Sequence, residues 1–167
     1  MTESTGLSAK RVLEEFLAAG VTHIVWLPDS EAGAMYQRIV EPPQLKLVPV
    51  AREGEAIGVA VGLLAGGAKP VVQIQSTGYY ESGDSVRGLA LDLNLPILML
   101  LGYRGWKGVG PSQSDSAAVF LEPTLDTWGI PHHLIETDAD VSKISQGVQE
   151  AIDRKGPVAV LIGREYE

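Results

Sequence analysis

The sequence contains no cysteine. A disulfide framework, a thiolate nucleophile and a thiolate metal site are thereby excluded. Cations are in short supply as well: 13 Lys and Arg stand against 21 Asp and Glu, a formal net charge of −8. No basic field draws in a nucleic-acid backbone or an anionic membrane as main partner. The longest apolar stretch, 57–68, is rich in Gly and Ala and too short to span a bilayer. The first six residues are polar, with no apolar run behind a basic start, so no signal peptide is read there and a cytoplasmic location is expected. Histidine is scarce. His23, His132 and His133 lack the i, i+4 spacing that sets two metal ligands on one helix face. Neighbours in a strand point to opposite sides, so His132 and His133 do not chelate together. No G-x-x-x-x-G-K-[ST] is present, no G-x-G-x-x-G joins the first strand to its helix, and no G-x-S-x-G elbow occurs.

What is present is a chain of 167 residues, 45% of them hydrophobic, long enough for one core but not two. Its apolar pattern alternates between two periods. Residues 8–19 place Val12, Leu13, Phe16 and Leu17 on one helix face, with Ser8 as N-cap and Gly20 as the stop. Residues 22–27 read as a buried strand, 31–40 as a helix broken by Pro42-Pro43, and 45–50 as a short strand in which Pro49 sits awkwardly. A small-residue helix over 53–66 and a strand over 70–75 follow. A Gly- and Ser-containing loop then leads to a helix near 84–93, and 96–101 is the most apolar strand, as expected at a sheet centre. A long Gly-rich loop over 102–115, a helix near 116–128, a strand at 132–135, a helix over 141–153 and a strand at 157–162 complete the chain.

Strand and helix thus alternate about six times. That pattern predicts an α/β fold: a single three-layer domain over 8–165, behind a flexible tail over 1–7. Its sheet is mainly parallel, has about six strands and is covered by helices on both faces. Ligands of such folds bind beyond the carboxyl ends of the strands. Three chemically unusual loops fall there: Leu27-Pro28-Asp29-Ser30, Gln75-Ser76-Thr77-Gly78 and Gly102-Tyr103-Arg104-Gly105.

The helix over 53–66 stands apart. Gly58, Gly62 and Gly66 recur every four residues, with Ala56 and Ala60 close by, leaving one face nearly without side chains. Each interior glycine costs about 1 kcal/mol relative to alanine. Tight packing against a neighbouring element would compensate, and so would close approach to a ligand or a second subunit. Glu53 and Glu55 open this helix, where its dipole favours carboxylates. Capping is one role for them; holding a ligand nitrogen is the other.

The run Ala51-Arg52-Glu53-Gly54-Glu55-Ala56, the glycine-rich helix and the turn Gln75-Ser76-Thr77-Gly78 resemble the pyrimidine-binding domain of thiamine diphosphate enzymes. The sequence is most similar to sulfopyruvate decarboxylase α subunits and the related phosphonopyruvate decarboxylases. Those carry a Glu-Gly pair opening this helix, a Gln-Asn-Ser-Gly turn after the next strand and an Arg-Gly after the following one. Gly20-Val21-Thr22-His23 leading to Leu27-Pro28 also resembles the family's first strand. The likeness runs in matching order from about Ser8 to about Ile162.

The resemblance implies that Glu53 is the family's essential glutamate. A carboxyl hydrogen-bonded to N1′ of the aminopyrimidine favours the imino tautomer of its 4′-nitrogen, which then serves as the base toward the thiazolium carbon. Pro28, Gln75, Thr77 and Gly78 join Glu53 as the implied cofactor-binding residues. Asp29, Ser30, Ser76, Arg104 and Lys107 are the implied substrate-binding set. Arg104 is the candidate to pair with an anionic substrate, with Lys107 behind it; a surface arginine on a mobile loop is the alternative.

Departures bear on the substrate. The family's Asn is Ser76 here, its Pro-Cys-Ser is Pro28-Asp29-Ser30, and its acidic-Pro-Gln-His stretch is replaced by Gly108-Val109-Gly110-Pro111-Ser112-Gln113. The Gly-Asp-Gly motif with a later Asn, which holds Mg²⁺ and the diphosphate, is missing: its nearest match is Gly83-Asp84-Ser85, and Asn94 is the only Asn. The resemblance therefore implies a separate β subunit that binds Mg²⁺ and the diphosphate, in an α2β2 or larger hetero-oligomer with the site at the interface. The expected function is the α subunit of a thiamine diphosphate-dependent 2-oxo acid decarboxylase acting on a small anionic 2-oxo acid. A carboligase subunit on the same machinery, or a non-catalytic α/β ligand-binding module, is the alternative.

Overall fold

The computed structural model describes residues 6–29, 32–108 and 110–167. Ser30, the start of the expected second helix at Glu31, and residues 1–5 of the expected tail lie outside the described residues. The chain begins with α1 (Ala9–Ala18), β1 (His23–Trp26), a 3₁₀ turn (Gly33–Met35) running into α2 (Tyr36–Val40), and β2 (Lys46–Pro49). Next come α3 (Glu53–Ala65), β3 (Pro70–Gln75), α4 (Ser76–Glu81), the single turn α5 (Gly83–Ser85) and a π-helical turn (Val86–Leu91). The remainder is β4 (Leu98–Gly102), α6 (Ser116–Val119), α7 (Leu121–Thr127), β5 (His132–Ile135), a 3₁₀ turn (Asp138–Asp140), α8 (Lys143–Arg154) and β6 (Val158–Ile162).

All six strands run parallel, in the order β2-β1-β3-β4-β6-β5. The strand alternation sets the layers. Leu98 and Leu100 of β4 face a core built with α1, α2 and α8, while Met99 and Leu101 face a second core under α3, α4 and α7. A strand buried on both faces must be apolar throughout, and β4 lies inside the sheet accordingly. The three-layer α/β architecture read from the sequence is therefore the one observed. Pro49 is accommodated because β2 is an edge strand paired only with β1, where a missing N–H breaks no interior ladder.

Three expectations change. The stretch after β3 is not a loop: α4 starts at Ser76 directly on the strand, with Gln75 extended as its cap. Buried Tyr79 and Val86 anchor this helical run to the second core, and that burial outweighs the polar local composition. The expected helix near 116–128 is two helices meeting at Phe120, because the ring of Pro123 clashes with a carbonyl four residues back, that of Val119. The chain is ordered at Leu7 as well. That residue is fully buried and pairs with Tyr166: its N–H donates to the Glu165 carbonyl and its carbonyl accepts from Glu167 N–H, both at 2.9 Å. The folded unit thus exceeds the expected 8–165 at both ends.

Candidate active site

The start of α3 is where the two carboxylates part ways. Arg52, the residue before the helix, is extended and offers no side-chain cap. The orphan N–H groups of the first turn are met from elsewhere. Glu55 reaches back so that its Oε2 accepts from the Ala51 N–H at 2.9 Å. Glu81, at the end of α4, accepts from the Gly54 N–H at 2.8 Å through Oε2, and from the Arg52 guanidinium through Oε1. The Arg52 hydrogen bond and then the Gly54 N–H hold the Glu81 carboxyl below the usual carboxylate range, and the same bond pushes Arg52 up. Glu81 therefore caps the helix through Gly54, while Glu55 is engaged with the segment leading into it.

Glu53 is left over. Among the described residues its half-buried carboxylate has no hydrogen-bond or ion-pair partner. Its side chain lies against the backbone of Gly78 in α4. A Cβ added there would stand 2.7 Å from Glu53 Oε1 and 2.9 Å from its Cδ, so the carboxylate occupies the space a side chain would fill. The structure thus separates two residues that helix-start position alone does not distinguish, and of which the resemblance singled out Glu53.

The other expected site residues divide between two places. Gln75, Ser76, Thr77 and Gly78 form the junction of β3 and α4 beside Glu53. The Thr77 hydroxyl donates to Gln75 Oε1 at 3.0 Å, and the buried Ser76 hydroxyl has no partner. Pro28 is exposed at the end of β1. Asp29 accepts from the Ala32 N–H at 2.7 Å and lines a cavity of about 130 Å³ on the α1–α8 side of the sheet. Arg104 does not line it. Its guanidinium is exposed and lies 3.4 Å from the Asp115 carboxylate, and Lys107 is exposed on the same loop.

The cavity brings in residues that the sequence reading passed over. Its floor is Gln73, 3% exposed, whose amide nitrogen and oxygen both lack partners. Trp106 forms one wall. Gly163 makes room for that ring, since a Cβ there would stand 2.7 Å from it, and the indole N–H donates to Glu136 at 2.7 Å. Tyr103 stacks on Trp106 with ring centroids 5.0 Å apart. Arg164, just past the end of β6, lies at the mouth. A glutamine in the inward register of an apolar strand was the available signal for Gln73. Arg164 had only its place beyond a strand's carboxyl end.

The glycine face of α3 is open. Gly62 has nothing within 4 Å of where its Cβ would be, and Gly58 meets only Leu89 Cδ1 at 4.0 Å. Packing inside this chain is therefore not what compensates those residues.

With these positions in hand, the likenesses to known proteins can be read. The chain matches the solved structure of the Rhodococcus jostii RHA1 thiamine diphosphate-dependent 4-hydroxybenzoylformate decarboxylase with a TM-score of 0.72 over 96% of its length, at 19% identity. The fold is the one found in thiamine diphosphate-dependent enzymes. The chain covers 32% of that enzyme's length. In sequence it is 25% identical over 160 residues to sulfopyruvate decarboxylase subunit alpha of Methanococcus maripaludis, covering 95% of this chain and 96% of that one. It is 28% identical over 167 residues to the subunit of the same name from Methanothermobacter thermautotrophicus, covering 95% and 97%. The resemblance read from the motifs is thus to whole chains that are themselves named as subunits. No family model matches the chain. Among the described residues, no helix is long and apolar enough to cross a membrane.

Proposed function

We propose that this chain is the α subunit of a thiamine diphosphate-dependent decarboxylase of small acidic 2-oxo acids, with Glu53 as its catalytic residue. One observation carries the reading: of the two carboxylates that open α3, Glu55 is held by the Ala51 N–H, while Glu53 accepts no hydrogen bond from the described residues and lies over a glycine. An aminopyrimidine N1′ is the kind of partner such a carboxylate lacks, and the bare backbone of Gly78 gives the carboxylate the room it occupies. When bound, thiamine diphosphate supplies the electron sink for decarboxylation. Glu53 holds or releases a proton at that nitrogen. Glu81, Arg52 and Gly54 fix the helix start that aims it, and Gln75 and Thr77 shape the adjoining edge.

The missing Gly-Asp-Gly and Asn set supports a partner β subunit that brings Mg²⁺ and the diphosphate site. The open glycine face of α3 supports it too, as do Leu93 and Phe120, both more than half exposed on the same layer. The relatives' names, sulfopyruvate decarboxylase subunit alpha, support the reaction class.

The test is co-expression with a diphosphate-binding partner and an assay of several 2-oxo acids. Glu53→Gln is expected to lower turnover by at least about 10²–10⁴-fold, the usual span for removing an acid–base group, while assembly by gel filtration is unchanged. Full turnover in that variant overturns the assignment.

A further inference from the structure

Glu53 stands between Arg52 and Gly54, and one side chain from another element holds both of these neighbours. The Glu81 carboxylate accepts from the Gly54 N–H on Oε2 at 2.8 Å and from the Arg52 Nε–H on Oε1 at 3.0 Å, with a second bond from the same guanidinium. Each oxygen thus serves one side of Glu53. The Arg52 side chain is 77% exposed and that of Glu81 31%. An ion pair so open to water adds little to the stability of a fold. Its effect is on direction: the backbone on either side of Glu53 is tied to one group by charge-assisted bonds.

The helix that supplies Glu81 is built to hold it still. Gly78 and Glu81 lie three residues apart on α4, and so share a face. That face meets the start of α3, with Gly78 beneath the Glu53 side chain and Glu81 against Gly54. Gly54 is bare toward the same run of chain, since a Cβ there would stand 3.2 Å from Ser85 Oγ. The two helices therefore approach through a glycine on each. α4 is anchored from below: Tyr79 is fully buried with its ring 5.8 Å from that of Trp128, and the buried Ser82 hydroxyl donates to the Tyr79 carbonyl.

We infer that Glu81 is a positioning residue for Glu53: by holding the backbone on both sides, it sets the direction of that carboxylate in the free chain, before a cofactor or partner arrives. Its kinetic consequence rests on the reading of Glu53 as the catalytic residue, while the geometry belongs to this chain alone.

The test reads position and turnover separately. In the full chain without a partner, nuclear Overhauser contacts between the Glu53 side chain and the Gly78 Cα protons report where the carboxylate lies. They are expected in the natural chain, lost in Glu81→Ala and kept in Glu81→Gln, whose amide oxygen still accepts from the Gly54 N–H. The melting curve of Glu81→Ala is expected to stay close to that of the natural chain. In the assembled enzyme, Glu81→Ala is expected to lower kcat about tenfold with KM changed by less than about twofold. Glu81→Gln is expected to recover most of that loss. With Glu53 already changed to Gln, Glu81→Ala is expected to cost nothing further, because it acts through that residue. Overhauser contacts that survive Glu81→Ala overturn the inference, and so do losses that multiply in the double variant. Unchanged kcat in Glu81→Ala, beside an inactive Glu53→Gln enzyme, overturns it as well. So does a Glu81→Ala chain that melts far below the natural one, since the pair would then serve the fold. Full turnover in Glu53→Gln removes the catalytic reading and leaves the positional result standing.

Discussion

Gly147 and Gly62 sit in helices on opposite sides of the same sheet, and they are glycines for opposite reasons. A Cβ on Gly147 of α8 would meet Leu98 Cδ1 at 2.8 Å and Val160 Cγ2 at 3.3 Å, so α8 needs that glycine to lie close on β4 and β6. A Cβ on Gly62 of α3 would meet nothing. The α1–α8 layer buries Ile144 and Ala151 against the strands and packs its glycine on them, although Leu17, Tyr36, Val40 and Ile152 stay exposed on it. The α3–α4 layer carries the unpaired Glu53, the bare glycine face and the exposed Phe120. On one side the surface against the glycine belongs to this chain; on the other, no surface of this chain reaches it.

The contrast can be broken most severely at Gly78. Its alanine variant drives a methyl into the Glu53 side chain, which must turn away. Steady-state kinetics of the assembled enzyme are expected to show a loss of about 100-fold in turnover, the scale of an ångström-sized misplacement, with a near-normal melting curve. Wild-type turnover would show that the position of Glu53 does not matter. A smaller effect is expected at Gly147. Overpacking of about 1–3 kcal/mol, offset by about 1 kcal/mol of helix propensity, leaves Gly147→Ala less stable by about 1 kcal/mol in urea denaturation. The smallest change has the opposite sign: Gly62→Ala is expected to stabilise the isolated chain by about 0.5–1 kcal/mol, while weakening co-purification with the partner subunit. A destabilised Gly62→Ala chain with intact assembly would erase the difference between the layers.

Much of this architecture was legible because period and punctuation agreed. The apolar run at β4 located the sheet interior, and the Glu-Gly start of α3 marked the candidate site. The rest depended on partners distant in sequence. Gln75-Ser76-Thr77-Gly78 has a loop's composition, and only the burial of Tyr79 under α7 and Trp128 makes it helical. Composition and spacing do not tell Glu53 from Glu55, and only the resemblance pointed to Glu53; the bond from Ala51 N–H that separates them exists only once the chain has turned. Gln73 and Arg164 meet across three strands, a proximity that no local spacing records.

The pairing of Leu7 with the segment around Tyr166 also has a kinetic consequence. Gly6 and Glu167, which hydrogen-bond beside it, are 161 positions apart. Such a contact gains nothing until all six strands are in place, since the loop it closes is nearly the whole chain. During refolding the amides of Leu7 and Glu167 should be among the last to gain protection from hydrogen exchange. The clasp between the two ends therefore acts as a clock for the fold: when it is shut, everything between has already been built.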